Sequence, residues 1–71
     1  MDTARENITR EVGSRIRYAR KSRGMSMDEL AQAIYKTRSA ISKYENGQIS
    51  VDIATLYDIA NALKVSIYDL L

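Results

Sequence analysis

The stretch that decides the fold is residues 30–47, LAQAIYKTRSAISKYENG. Apolar residues recur at helical spacing in its first and last parts, whereas residues 35–37 between them have no periodicity and indicate a turn. Thr37 is a preferred N-cap for the second of these helices. Immediately upstream, residues 26–29, SMDE, fit a capping box at the start of the first of these two helices. The sequence therefore predicts two short helices joined by a turn of about three residues, over residues 27–46.

The segment before this stretch is helical in pattern too. Four apolar residues recur at spacings of four, four and three, which places them on one helix face. They are Ile8, Val12, Ile16 and Ala19. Gly24 is a natural stop for this helix. Two starting points remain open: Thr3, with Glu6 completing a capping box, or Thr9, which leaves residues 1–7 as a frayed N-terminal extension.

The segment after the stretch predicts two more helices. Asp52 caps a helix whose apolar stripe is built from Ile53, Leu56, Ile59, Ala60 and Leu63. Residues 66–69, SIYD, fit another capping box, which predicts a short fifth helix containing Leu70. The fold class that follows is all-α, with five helices around one core and a single domain spanning residues 1–71.

Composition excludes several kinds of chemistry. The 71 residues include no cysteine and no histidine, which removes disulfide frameworks, zinc fingers and imidazole-dependent triads. The acidic residues show no metal-ligand spacing, so we expect no metal, no cofactor and no enzymatic activity. No run approaches eighteen apolar residues and no signal-peptide core follows the start, so the expected location is cytoplasmic, with no membrane association.

The charge is unevenly distributed along the chain. Residues 1–43 carry ten Lys and Arg against five acids, for a net charge of +5, whereas residues 44–71 carry one against four, for −3. A basic front of this kind indicates a polyanion as partner. Two short helices joined by a tight turn are also the arrangement that helix-turn-helix DNA binding needs, with the second helix entering the major groove.

The motifs themselves resemble a known family. The stretch LAQAIYKTRSAISKYENG, followed after a loop by LYDIANALKVSIYDLL, is similar to helix-turn-helix regulators of the phage repressor and Cro type, the XRE family. The resemblance covers residues 12–71. It implies a compact, lambda-repressor-like fold of five helices that usually binds operator DNA as a dimer.

The resemblance also implies roles for individual residues. The third helix, residues 38–46, would be the recognition helix. The side chains implied to contact bases, or to lie beside those that do, are Arg38, Ser39, Ser42 and Lys43. The residues implied to approach phosphates are Ser26, Met27, Lys36, Thr37, Asn46, Gly47 and Gln48. In the loop at residues 46–48, the backbone amides are the implied donors. Arg20 and Glu45 match an internal ion pair, which would make Arg20 structural.

The chain departs from the family pattern in two places, at residue 27 and in the turn at residues 35–36. Many members have glutamine where this chain has Met27. The turn usually has glycine followed by an apolar residue, whereas this chain has Tyr35 and Lys36. Either Tyr35 adopts positive φ, at roughly 1 kcal/mol or more, or the turn shifts by one residue.

The predicted function is a sequence-specific regulator of transcription, a repressor that binds a palindromic operator in double-stranded DNA as a weak homodimer. The predicted dimer surface is the loop at residues 48–51, the end of the fourth helix, Ile67, Tyr68 and Leu71. Tyr44 and Tyr57 have core-facing spacing, so we expect them to pack in the core rather than to stack on bases. The alternative function is a protein-interaction module, such as an antitoxin that neutralises a partner protein and also regulates its own operator.

Overall fold

The computed structural model describes residues 3–71. Within that range the chain forms α1 (Ala4–Ser22), α2 (Met27–Ala33), α3 (Arg38–Glu45) and α4 (Ile53–Leu63), followed by a 3-10 turn (Ile67–Asp69). The all-α class is confirmed, but the described chain has four α-helices and not five. Only three residues separate the cap Ser66 from Leu70, whose amide donates to the Ile67 carbonyl over three residues. The fifth predicted helix is therefore a single 3-10 turn.

Helix starts follow the local caps. The hydroxyl oxygen of Thr3 accepts from the Glu6 amide at 3.2 Å, so the first helix begins at Ala4 and not after Thr9. Residues 4–7 are accordingly helical, and residues 1 and 2 of the predicted extension lie outside the described residues. Ser26 and Glu29 form the predicted reciprocal capping box at the start of α2.

The core is a single cluster that all four helices and the 3-10 turn's Leu70 share. Its six fully buried large side chains are Ile16, Leu30, Ile41, Ile59, Leu63 and Leu70. The apolar pattern of residues 30–47 predicts a seam between α2 and α3 formed by Leu30, Ile34, Ile41 and Tyr44. All four are buried in this core. No helix among residues 3–71 is long and apolar enough to cross a bilayer.

Three predicted core residues are exposed instead. Ile8 and Ile53 are each 61% exposed, because both lie near the start of their helices. Tyr57 is 53% exposed, since it follows Leu56 and is turned about 100° from the α4 stripe. A helical spacing predicts which residues share a face, but a partner element must also reach that face.

The turn between α2 and α3 keeps its register. Tyr35 adopts φ 59°, and the Lys36 amide donates to the Ala31 carbonyl at 2.9 Å. The left-handed conformation therefore falls on Tyr35, at a cost of about 1–2 kcal/mol for a residue with a Cβ atom. The side chain is 96% exposed, so core packing does not offset this cost.

Candidate nucleic-acid interface

One face of α3 forms a shallow groove together with the start of α2 and the loop after α3. We call this surface the α3 groove, and its lining residues are Met27, Arg38, Ser39, Ser42, Lys43 and Gln48. All four predicted base-contacting side chains lie in it. The opposite face of the same helix carries Ile41, Tyr44 and Glu45, which are buried. Burial of one face therefore fixes which side chains the other face presents.

The charged groups of the α3 groove can reorient. Arg38 lies 4.0 Å from the Asp28 carboxylate, and the two side chains are 63% and 70% exposed. Exposed pairs of this kind contribute about 0–1 kcal/mol. A negatively charged ligand can therefore draw Arg38 away from Asp28 at little cost, while Lys43 is exposed on the following turn.

Arg20 and Glu45 join α1 to the end of α3. Arg20 Nε and Nη2 donate to the two carboxylate oxygens of Glu45 at 2.6 and 3.0 Å, and Nη1 donates to the Met25 carbonyl at 2.8 Å. Both residues are 7% exposed. The hydrogen bond to Glu45 raises the pKa of Arg20 above its ordinary value, although burial opposes the shift. Arg20 therefore directs its donors into the protein, and not toward a ligand.

The loop after α3 differs from its predicted use. The amides of Asn46, Gly47 and Gln48 already donate to carbonyls of Ser42, Tyr44 and Lys43, at 3.0, 3.2 and 2.9 Å. These bonds satisfy the end of the helix, where Gly47 takes the left-handed conformation at φ 71°. A phosphate contact through these three amides is therefore not supported. The remaining donors are the side-chain amides of Gln48 and of Asn46, and Asn46 Nδ2 already donates one hydrogen bond to Ser42 Oγ at 3.4 Å.

The other predicted phosphate contacts lie around the groove or away from it. The hydroxyls of Ser26 and Thr37 accept from the amides of Glu29 and Ala40 as helix caps, which leaves each hydroxyl hydrogen to donate elsewhere. Lys36 is outside the groove. It adds a small electrostatic contribution to the lowered pKa of Asp52, which arises first from hydrogen bonds of Thr55.

Arg17 is a site residue that sequence reasoning missed. It lines a small cleft that adjoins the α3 groove, together with Arg20, Met27, Ser42, Glu45 and Asn46. Among residues 3–71 it has no acidic partner within 4 Å. The spacing of three between Arg17 and Arg20 was a usable signal, since it places both on one side of α1.

The arginines in the second half of α1 and at its C-cap thus differ in role. Arg15 donates to the Leu71 carbonyl and lies 3.5 Å from Glu11, and Arg23 donates to the Lys64 carbonyl at 2.8 Å. These two, like Arg20, therefore have partners within the protein. The sequence shows how many basic residues lie in this segment, but it does not show which of them have partners inside the protein. No group of three or more acidic side chains among residues 3–71 is placed to hold a metal ion.

Comparison with known proteins identifies the class that this geometry defines. Residues 16–70 match the helix-turn-helix family. The chain is 36% identical over 61 residues to a transcriptional regulator in the ATPase CF(0) region of Rhodospirillum rubrum, covering 86% of the chain and 56% of that protein. It is 32% identical over 60 residues to the HTH-type transcriptional regulator SutR of Escherichia coli, covering 84% of the chain and 34% of that protein. The chain therefore spans about half the length of these relatives or less.

Solved structures show the same arrangement of helices. The restriction-modification controller protein C.AhdI from Aeromonas hydrophila superposes with a TM-score of 0.91 at 26% identity, covering 97% of this chain and 100% of that one. The clp gene regulator ClgR from Corynebacterium glutamicum gives 0.86 at 27% identity, covering 89% and 82%. This class is that of DNA-binding transcriptional regulators and not of enzymes. The chain belongs to the helix-turn-helix family, of the XRE type that its motifs predict.

Proposed function

We propose that the chain represses transcription by placing α3 in the major groove of a palindromic operator. The observation that carries this proposal is the α3 groove, where one short helix exposes Arg38, Ser39, Ser42 and Lys43 together. A protein that occupies an operator excludes other proteins from the same DNA, and this is why we propose repression. A protein with this role acts where the chromosome is, which makes the cytoplasm its proposed location.

The side chains divide between reading bases and holding the backbone. Arg38 and Lys43 donate to guanine O6 and N7, and the two serines reach base edges. Phosphates accept hydrogen bonds from side chains around the groove and do not report sequence. The proposed phosphate contacts are Ser26, Thr37, Lys36, Asn46, Gln48 and, newly, Arg17. A thioether has no hydrogen to donate, so Met27 is not retained as a phosphate contact.

Arg38→Ala should cost about 1–3 kcal/mol of binding to the preferred site and relax the preference at one base position. Selection of bound DNA from a pool of random duplexes, followed by sequencing, measures both effects. Arg17→Ala is the matched control: it should weaken all duplexes about equally and reduce the salt slope by about one. If Arg38→Ala also weakens all duplexes equally, Arg38 contacts phosphate. If the unaltered chain binds no duplex at moderate salt, the antitoxin-like alternative is favoured.

An apolar groove on a different face supports the proposed homodimer. Its lining includes Ile8, Val12, Val51, Ile53, Leu56 and Leu71. Of the residues predicted for the dimer surface, Ser50, Val51 and Leu71 line this groove, and Ile49 in the same loop is 40% exposed. The prediction placed the end of the fourth helix in this surface, but the part of α4 that lines the groove is its start, at Ile53. We propose that this groove packs against its copy in a second chain.

Two chains on one duplex would place two α3 helices one DNA turn, about 34 Å, apart. Since a single short helix reads few base pairs, the second half-site supplies the missing specificity. Sedimentation with a selected palindromic duplex should give two chains per duplex, and Ile53→Lys should reduce this to one while leaving the fold intact. A single chain per duplex at saturation for the unaltered protein would contradict the dimer.

A further inference from the structure

Met27 is the one apolar side chain that lines the α3 groove. The other five lining residues are polar or charged. Met27 also lines the adjoining cleft of Arg17 and Arg20, where it is again the only apolar member. A single methionine thus lines both the surface that carries the proposed base contacts and the cleft beside it.

The position of Met27 leaves part of its side chain open. It is half-buried, and it packs against the core. Ser39 and Ser42, the groove residues of α3 between Arg38 and Lys43, have short side chains. Capping does not require an apolar residue here either, because Ser26 and Glu29 satisfy the helix start by themselves. Met27 therefore packs against the core and also presents apolar surface to the α3 groove.

Duplex DNA offers one apolar group at the major-groove edge of its base pairs, the C5 methyl of a pyrimidine. Thymine carries it, and so does 5-methylcytosine. A flexible and polarisable thioether suits such a contact, because it adapts its shape to a small apolar group. A purely polar groove would bind water in that place and would not favour a methyl group.

We propose that Met27 recognises a pyrimidine C5 methyl group beside the base pairs that Ser39 and Ser42 read. This inference rests on the proposed function and adds a specificity determinant to it. The residue that departs from the family pattern thereby changes which base is preferred. Met27→Gln removes the apolar contact at similar side-chain length, whereas Met27→Leu keeps an apolar group.

The test replaces each thymine of a selected duplex by deoxyuridine, one at a time, and each cytosine by 5-methylcytosine in a second series. For the unaltered chain we expect one position where loss of the methyl group weakens binding roughly fourfold, or one where a gained methyl group strengthens binding by the same factor. A factor of roughly four corresponds to the burial of one methyl group. An effect in the first series shows that the recognised base is thymine, and an effect in the second shows that it is 5-methylcytosine. Met27→Gln should bind both forms of that position equally, and Met27→Leu should keep most of the difference.

Met25→Ala is the matched control. Met25 packs against the core but does not line the groove, so this variant should keep the methyl sensitivity of the unaltered chain. Circular dichroism verifies that each variant is folded. Equal methyl sensitivity in Met27→Gln and the unaltered chain, or no sensitive position at all, overturns the inference and leaves the proposed function standing. Absence of any duplex binding by the unaltered chain overturns both.

Discussion

Glu45→Ala should lower the free energy of unfolding by about 3–5 kcal/mol, because it leaves the buried Arg20 guanidinium without its counterion. A domain of this length is stabilised by roughly 4–10 kcal/mol in total, so the change is a large part of the whole. Both residues are 7% exposed, and two hydrogen bonds of 2.6 and 3.0 Å join them. Urea denaturation followed by circular dichroism measures the loss.

Glu11→Ala is the matched control for this measurement. Glu11 also pairs with an arginine, Arg15, at 3.5 Å, but the two side chains are 65% and 44% exposed. Removing an exposed partner should cost about 1 kcal/mol or less. If Glu45→Ala and Glu11→Ala have equal effects, the Arg20–Glu45 pair is not a buried link between α1 and α3, and Arg20 is then a candidate phosphate contact.

Gly13→Ala should destabilise the domain by about 3 kcal/mol, although alanine is the better helix former. A Cβ atom at this position would lie 2.3 Å from the Tyr44 carbonyl oxygen and 2.8 Å from that of Glu45. Both atoms belong to the backbone of α3, so no side-chain rotation relieves the clash. The propensity gain of about 1 kcal/mol is smaller than this cost.

Ser14→Ala is the control for helix propensity. Ser14 is the next residue of α1 and is exposed, so the smaller gain in helix propensity on replacing serine by alanine should leave stability unchanged or slightly higher. Thermal melting of both variants separates the two effects. A Gly13→Ala variant as stable as Ser14→Ala would show that α1 and α3 are not in contact at this point.

Local signals were predicted well from the sequence. The caps Ser26, Thr37 and Asp52 each accept from the amide three residues on, and such bonds depend only on neighbouring residues. The α2–α3 seam was also found, since helical spacing places its members on facing sides. The groove side chains of α3 follow from the same reasoning, because they are the residues left when Ile41 and Tyr44 face inward.

Apart from the Arg20–Glu45 pair, which the family resemblance implied, features that depend on distant contacts were not predicted. Nothing in the residues around Gly13 indicates that a carbonyl of α3 lies against it. Arg17 could not be separated from Arg15 and Arg23, because their partners are carbonyl oxygens some forty to sixty residues later in the chain. The fifth predicted helix is only a 3-10 turn because three residues separate its N-cap Ser66 from its C-cap Leu70. A capping motif predicts where a helix starts, but not how long it is.

The central claim is that the α3 groove is the surface that meets DNA. Amide chemical shifts of the ¹⁵N-labelled chain, followed while a selected duplex is added, test it most directly. We expect the largest shifts at residues 38–43, Met27 and Gln48, together with the side-chain signals of Arg17 and Arg38. Shifts that cluster instead at Ile8, Ile53 and Leu71, with the α3 amides unchanged, would contradict the claim and assign DNA binding to another face.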